Sequence, residues 1–194
     1  MIDQEQLHSS VRPLFSLDAQ EVQDTMERLM RSREGSRQDE ELLEIVRSYR
    51  GIDGSAPLWA MVVLGKIHSR AAIPLLLEVL DSGWDYWTEA AMEALEDIAQ
   101  TYPEDIMNIV PAFIENRWDH DPESARLFAY NAVAALAPDE RAKQFLLYAF
   151  WRDDTWSEPI AHDLVRFGDP AVLELFKPHI EYHHRLGDRR EELQ

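Results

Sequence analysis

The chain has no cysteine, so a disulfide framework, a thiolate metal site and a cysteine nucleophile are all excluded. It is equally short of long apolar runs. The longest, Leu58–Leu64, is far below the roughly 18 residues that a membrane-spanning helix needs. Period-2 alternation of apolar and polar residues, the mark of a half-buried strand, is absent as well. No Gly-x-Ser-x-Gly elbow and no glycine-rich phosphate loop occurs, which removes two common catalytic frames. The opening residues, MIDQEQLHSS, lack a basic segment followed by an apolar one, so no secretory signal is expected there. Together these absences suit a cytoplasmic protein.

Positive charge is scarce too. Against 37 acids stand 19 Lys and Arg, for a formal net charge of −18. The imbalance is concentrated: residues 56–140 hold 15 acids and 4 bases, whereas residues 141–194 hold 10 acids and 8 bases. Binding to phosphate backbones requires several Lys or Arg contacts, so nucleic acid is not an expected partner. A field of this sign steers basic proteins instead.

What is present is helical periodicity almost throughout. Apolar stripes recur as Val22, Met26, Leu29, Met30; Leu42, Ile45, Val46, Tyr49; Trp59, Val62, Val63, Ile67; and Ile73, Leu76, Leu77, Leu80. The next are Trp87, Ala91, Ala94, Leu95, Ile98, and then Ile106, Ile109, Val110, Phe113, Ile114. An alanine-rich segment spans about 122–137. Phe145–Phe150, Ile160–Phe167 and Val172–Ile180 complete a set of about ten helices. Pro57, Pro103, Pro122, Pro159 and Pro170 stand where first helical turns tolerate a missing N–H, with Ser55, Asp121 and Asp169 as candidate caps. Interior Pro74, Pro111 and Pro178 would bend their helices where they fall past the first turn.

Helix pairs recurring every 30–40 residues indicate an all-α solenoid, because one pair cannot bury its apolar face alone. The clearest unit is APLWAMVVLGKIHSRAAIPLLLEVLDSG at 56–83, followed by EAAMEALEDIA at 89–99 with DIMNIVPAF at 105–113, and later DLVRFGDPAVLELF at 163–176. The Leu-Gly-Lys-Ile turn followed by Ala-Ile-Pro-Leu-Leu resembles the bacterial HEAT-like repeats of the PBS-lyase type. That resemblance implies a right-handed α-solenoid of antiparallel helix pairs, used as a scaffold or protein-binding surface. A single domain is expected, with capping helices at 1–55, repeats at 56–184 and a frayed tail at 185–194.

Tryptophan and acid return together at one point of the repeat: WDYW at 84–87, RWDHD at 117–121 and FWRDDTW at 150–156. The leading tryptophans Trp84, Trp118 and Trp151 lie 34 and 33 residues apart. One explanation is structural, with the indole packing across a repeat junction and the acid capping the next helix. The other is a binding edge, where aromatic faces with adjacent carboxylates take Lys or Arg side chains by cation–π contact and charge pairing. The partner-binding candidates are therefore Trp84, Asp85, Trp87, Trp118, Asp119, Trp151, Asp153, Asp154 and Trp156.

Other constellations are weaker. His179 and His183 share a helix face and could hold a metal as a pair, but no third ligand can be assigned. His68, His120 and His162 are isolated and read as capping or surface residues. Glu89, Glu93, Glu96 and Asp97 read as a solvated polar face. DNA glycosylases of HEAT-like build use Trp and Asp in a cleft, which Trp118–Asp119 invites as an alternative. They need a basic groove, however, and the centre of this chain has only Lys66, Arg70, Arg117 and Arg126. No His-Glu dipeptide occurs, unlike the iron-binding HEAT-repeat hydroxylases. The sequence therefore points to a non-enzymatic scaffold or adaptor without cofactor, recognising a basic protein, with an inhibitor or immunity-type factor as one form. The alternative is an enzyme acting on nucleic acid or using a metal.

Overall fold

The 3.6-residue apolar stripes give helices. A computed structural model describes residues 7, 9–31, 36–49, 55–81, 85–118, 125–172, 174 and 176, and no strand occurs among them. A 3-10 turn, Arg12–Phe15, precedes α1 (Ala19–Leu29), α2 (Arg37–Tyr49) and α3 (Ala56–Lys66). After a second 3-10 turn, Arg70–Ala72, come α4 (Ile73–Leu80), α5 (Asp85–Ala99), α6 (Pro103–Glu115), α7 (Ala125–Ala134), α8 (Glu140–Arg152) and α9 (Ser157–Val165). Helical residues resume at Pro170.

Pro57, Pro74 and Pro103 all sit in the first turn of their helices, where no intrahelical acceptor awaits an N–H. Pro74 therefore opens α4 and does not bend it. Pro111 does stand inside α6, where it removes the hydrogen bond to the Met107 carbonyl. Pro178, Pro122 and Asp121 lie outside the described residues. Asp18, Asp139 and Asp169 cap by accepting the N–H of Gln20, Arg141 and Ala171 at 2.9, 2.8 and 2.9 Å. Ser55 occupies the N-cap of α3 but its side chain makes no capping bond.

The chain forms two compact units, residues 1–136 and 137–194. In the first unit α3, α5 and α7 pack in succession, and α4 lies against α5, α7 and α6. This is the two-row stacking of an α-solenoid, in which each repeat buries its face on the next. Met61, Leu64, Ile73, Leu76, Leu95, Ile98, Ile106, Val110 and Val133 are wholly buried between the rows. Each such aliphatic side chain contributes about 1.5–3 kcal/mol. Before the repeat, α2 packs on α3, while α1 packs on the first 3-10 turn and on α3. In the second unit α8 packs on α9, and Phe150 meets Phe176 at 4.7 Å between ring centres.

The Leu-Gly-Lys-Ile turn is the tightest joint. The Ser69 N–H bonds the Leu64 carbonyl and the His68 N–H bonds the Gly65 carbonyl, each at 2.9 Å, closing α3 as a Schellman motif. That motif needs a left-handed residue, and His68 supplies it at φ 53°. The imidazole holds the position by donating from Nδ1 to the Asp97 carbonyl of α5 at 2.8 Å. His68 is thus a cap, as its isolation in the sequence suggested. Gly65 is needed for a different reason: a Cβ there would lie 2.7 Å from the Ala94 Cα, so only glycine lets α3 approach α5 this closely.

Candidate protein-interaction surface

The three Trp-Asp corners are built differently from one another. At the first, Trp84 lies outside the described residues and Asp85 begins α5. Trp87 is only 8% exposed, packed on the core side of α5 with Ala91, Ala94, Leu95 and Ile98. It cannot present a face to a partner. Its neighbour Tyr86, one helical step away, is 76% exposed, and Glu89 and Glu93 follow it at the i+3 and i+7 positions of the same face, both exposed. Tyr86 was missed in the sequence although the helical phase of Trp87 carried the signal.

At the second corner Trp118 closes the turn after α6, half-buried. Its Nε1 donates to Tyr130 Oη at 3.2 Å, and its carbonyl accepts from Arg126 Nη1 at 3.3 Å. Tyr130 and Arg126 are buried side chains of α7. This indole braces a repeat junction, which is the structural explanation of the motif. Asp119 lies outside the described residues. At the third corner Trp151 is 62% exposed at the end of α8, edge-on to Phe150 with ring centres 4.9 Å apart. Asp153 is buried and forms the C-cap of α8, so it is neither a partner-facing carboxylate nor the N-cap of α9. Asp154 is exposed, and Trp156 is half-buried at the N-cap of α9.

Electrostatics separate the surface more sharply than the aromatics do. All four bases of residues 56–140 are engaged within the first unit. Lys66 Nζ meets Asp97 Oδ2 at 2.7 Å, and Arg70 meets Asp105 at 2.6 Å. Arg117 binds both oxygens of Asp81, with Nε at 2.7 Å from Oδ1, while its guanidinium lies 3.6 Å from the centre of the Phe113 ring. Arg126 is the buried partner of the Trp118 carbonyl. The three ion pairs span 31, 35 and 36 residues, one repeat each. Asp97 is consequently a structural residue of the α3–α5 joint and not part of a solvated patch. Surface pairs of this kind contribute only about 0–1 kcal/mol each. Their larger consequence is spatial, because the cations are placed at repeat junctions beside carboxylates, while Glu78, Glu89, Glu93, Glu104 and Glu115 are exposed as well.

The second unit carries a compensated cluster. Lys143 Nζ bridges Glu140 at 2.7 Å and Asp169 at 3.0 Å. The Lys143 hydrogen bond holds both carboxyls below the usual range, helped at Asp169 by the Ala171 N–H, and the two acids, Glu140 foremost, raise the Lys143 ammonium. The Arg141 side chain likewise lowers Asp139. Depressed carboxyls contribute stability that is present above their unfolded pKa, roughly 4, and is lost as pH falls through the lower folded value. The raised ammonium contributes stability that is full below about pH 10.4 and is lost as pH rises through its higher folded value. Lys143→Met is therefore expected to lower the thermal midpoint at neutral pH, with the gap from wild type closing below pH ~4 in melts followed by circular dichroism. A gap independent of pH would assign Lys143 a packing role only.

Among the described residues no group of three or more His, Cys, Asp or Glu is placed to hold a metal, and His179 and His183 lie outside them. No described helix is long and apolar enough to cross a membrane.

Residues 57–82, from Pro57 of α3 through α4, match the PBS lyase HEAT-like repeat. The all-helical, two-row fold and this match agree, so the chain carries a HEAT-like repeat at the joint defined by Gly65 and His68. No curated protein and no solved structure matches the chain.

Proposed function

We propose that the chain is a non-catalytic scaffold that binds a basic protein through the acidic face of its first unit, in the cytoplasmic setting that a cysteine-free chain suits. HEAT-like repeats commonly serve as protein-interaction scaffolds, and one observation favours a basic partner. Every cation of residues 56–140 has an internal partner, with Lys66 and Arg70 held in exposed ion pairs, while Glu89, Glu93 and Glu115 add further exposed carboxylate. Tyr86, Glu89 and Glu93 form the centre of the proposed surface, with Trp84 and Asp85 beside them in sequence and Asp119 about one repeat further along. An exposed phenol next to carboxylates suits a Lys or Arg side chain, which gains a ring face and a charge partner at once. Trp151, Asp154 and Trp156 offer the same chemistry on the second unit. Masking a basic protein in this way is how an inhibitor or immunity-type factor works.

Affinity capture from native lysate at low and moderate salt tests the reading. Wild type is expected to recover a basic protein whose yield falls with salt, and Glu89→Lys/Glu93→Lys to reduce that yield by roughly tenfold, about 1.4 kcal/mol. A partner held equally by the double variant would move the interface to another face. Recovery of nucleic acid in place of protein would overturn the scaffold reading.

A further inference from the structure

Among the described residues, α1 leaves part of its apolar surface without a neighbour. It packs on the 3-10 turn Arg12–Phe15 and on α3, and between α1 and the start of α3 an open groove of about 520 Å³ remains. Leu17, Val22, Met26 and Met30 line one side and Trp59 the other. Leu17 is 105% exposed, an aliphatic side chain held wholly in water at the mouth of the groove. Burying it is favourable, so the free chain carries a standing gain for an apolar occupant. Methionines suit such a surface because their unbranched chains repack around different shapes.

The groove also has a sign. Glu27 lines it, and Asp18, Glu21 and Asp24 lie on the same helix and its cap. The single base of α1, Arg28, donates to the Ser10 carbonyl at 2.8 Å and is directed to the 3-10 turn side of the helix. On the opposite wall α3 has no base before Lys66, which is paired with Asp97. An apolar trough with an acidic flank is complementary to one class of ligand.

We infer that this groove is a docking site for a basic amphipathic helix of a partner protein, which lays its apolar face between α1 and Trp59 and its Lys or Arg side chains along Glu27 and the α1 acids. α1 is 11 residues long, about 16 Å at 1.5 Å per residue, so the occupant presents about three turns, with anchors at i, i+3 or i+4, and i+7. The site is separate from the acidic face of α5, and its existence does not depend on that face.

The test uses the full chain and a labelled leucine–lysine peptide of about four turns, with its leucines on one helical face, read by fluorescence anisotropy. Binding is expected to weaken with salt. Leu17→Ser/Met26→Ser and, separately, Glu27→Lys are each expected to reduce affinity by about tenfold or more. Leu17 is fully exposed, so Leu17→Ser alone does not threaten the fold and keeps the test valid if the double variant is unstable. Glu89→Lys/Glu93→Lys is expected to bind the peptide as wild type does, which separates failure of this site from failure of the α5 surface. Equal binding by a scrambled peptide of the same composition, or by a leucine–glutamate peptide, would overturn the assignment. So would groove variants that leave affinity unchanged. A dimer in light scattering that Leu17→Ser dissociates would give the groove to a second copy of the chain and overturn it as well.

Discussion

Tyr130→Ala is expected to destabilise the first unit by about 3–5 kcal/mol, the loss typical of truncating a wholly buried aromatic. The effect is large because the ring fills α7's core-facing surface while its hydroxyl serves another element. Tyr130 Oη accepts the Trp118 indole N–H across the α6–α7 junction, so truncation both opens a cavity and strands that donor. Tyr130→Phe isolates the second effect and is expected to cost only about 0.5–1.5 kcal/mol. Denaturant unfolding of the two variants measures both numbers. The pair also decides what Trp118 is for. With Trp118 as a brace, Tyr130→Phe lowers stability and leaves partner capture at the wild-type yield. Lost capture in a folded Tyr130→Phe protein would instead make the orientation of Trp118 part of the binding surface.

Gly65→Ala is expected to destabilise by about 1–3 kcal/mol although alanine is the better helix former. The two effects oppose each other and their sizes decide the sign. Replacing glycine in a helix gains about 0.5–1 kcal/mol from backbone entropy. Against this, the new methyl group would sit 2.7 Å from the Ala94 Cα and 3.0 Å from its Cβ. The nearest obstacle is backbone and cannot rotate away, so α3 and α5 must separate. Separation also strains what hangs on that joint: the Lys66–Asp97 pair and the His68 bond to the Asp97 carbonyl. Gly65→Val is expected to cost more, in proportion to its extra volume. Thermal and denaturant unfolding check the order wild type, alanine, valine. A stabilised Gly65→Ala protein would mean that helix propensity outweighs the contact and that the joint is looser than its geometry.

Much of the helical architecture was readable because local physics sets it. Apolar stripes at 3.6-residue spacing placed α2 through α9 within a few residues, and Pro57 and Pro103 marked the starts of α3 and α6. The repeat at 56–83 was legible for the same reason: its glycine, its turn and its stripes lie within one continuous stretch. The phase of α5 even contained the correction at the first corner. Trp87 shares the core stripe with Ala91 and Leu95, and that stripe outranks the resemblance between one Trp-Asp pair and the next. The pattern of the motif misled where burial, a property of the packed helix, assigned Trp87 and Asp153 to the interior and Tyr86 to the surface.

Composition alone determined that the molecule is strongly acidic and cysteine-free, and the spacing of apolar residues that it is helical. Which charges are paired with one another was decided only by tertiary structure. Lys66, Arg70 and Arg117 find their carboxylates 31 to 36 residues away, and that separation depends on how far each repeat rises and how each turn closes. The division after Leu136 and the open groove beside α1 belong to the same category. The sequence marks α1 and α2 as adjacent amphipathic helices, and adjacency suggests that they pair. In the fold α2 takes the place beside α3, and α1 turns to the 3-10 turn Arg12–Phe15 instead. Amphipathicity states that a helix must bury one face. Which neighbour covers it, and how much stays open, follows from competition among all the apolar faces of the chain, and no local pattern encodes that.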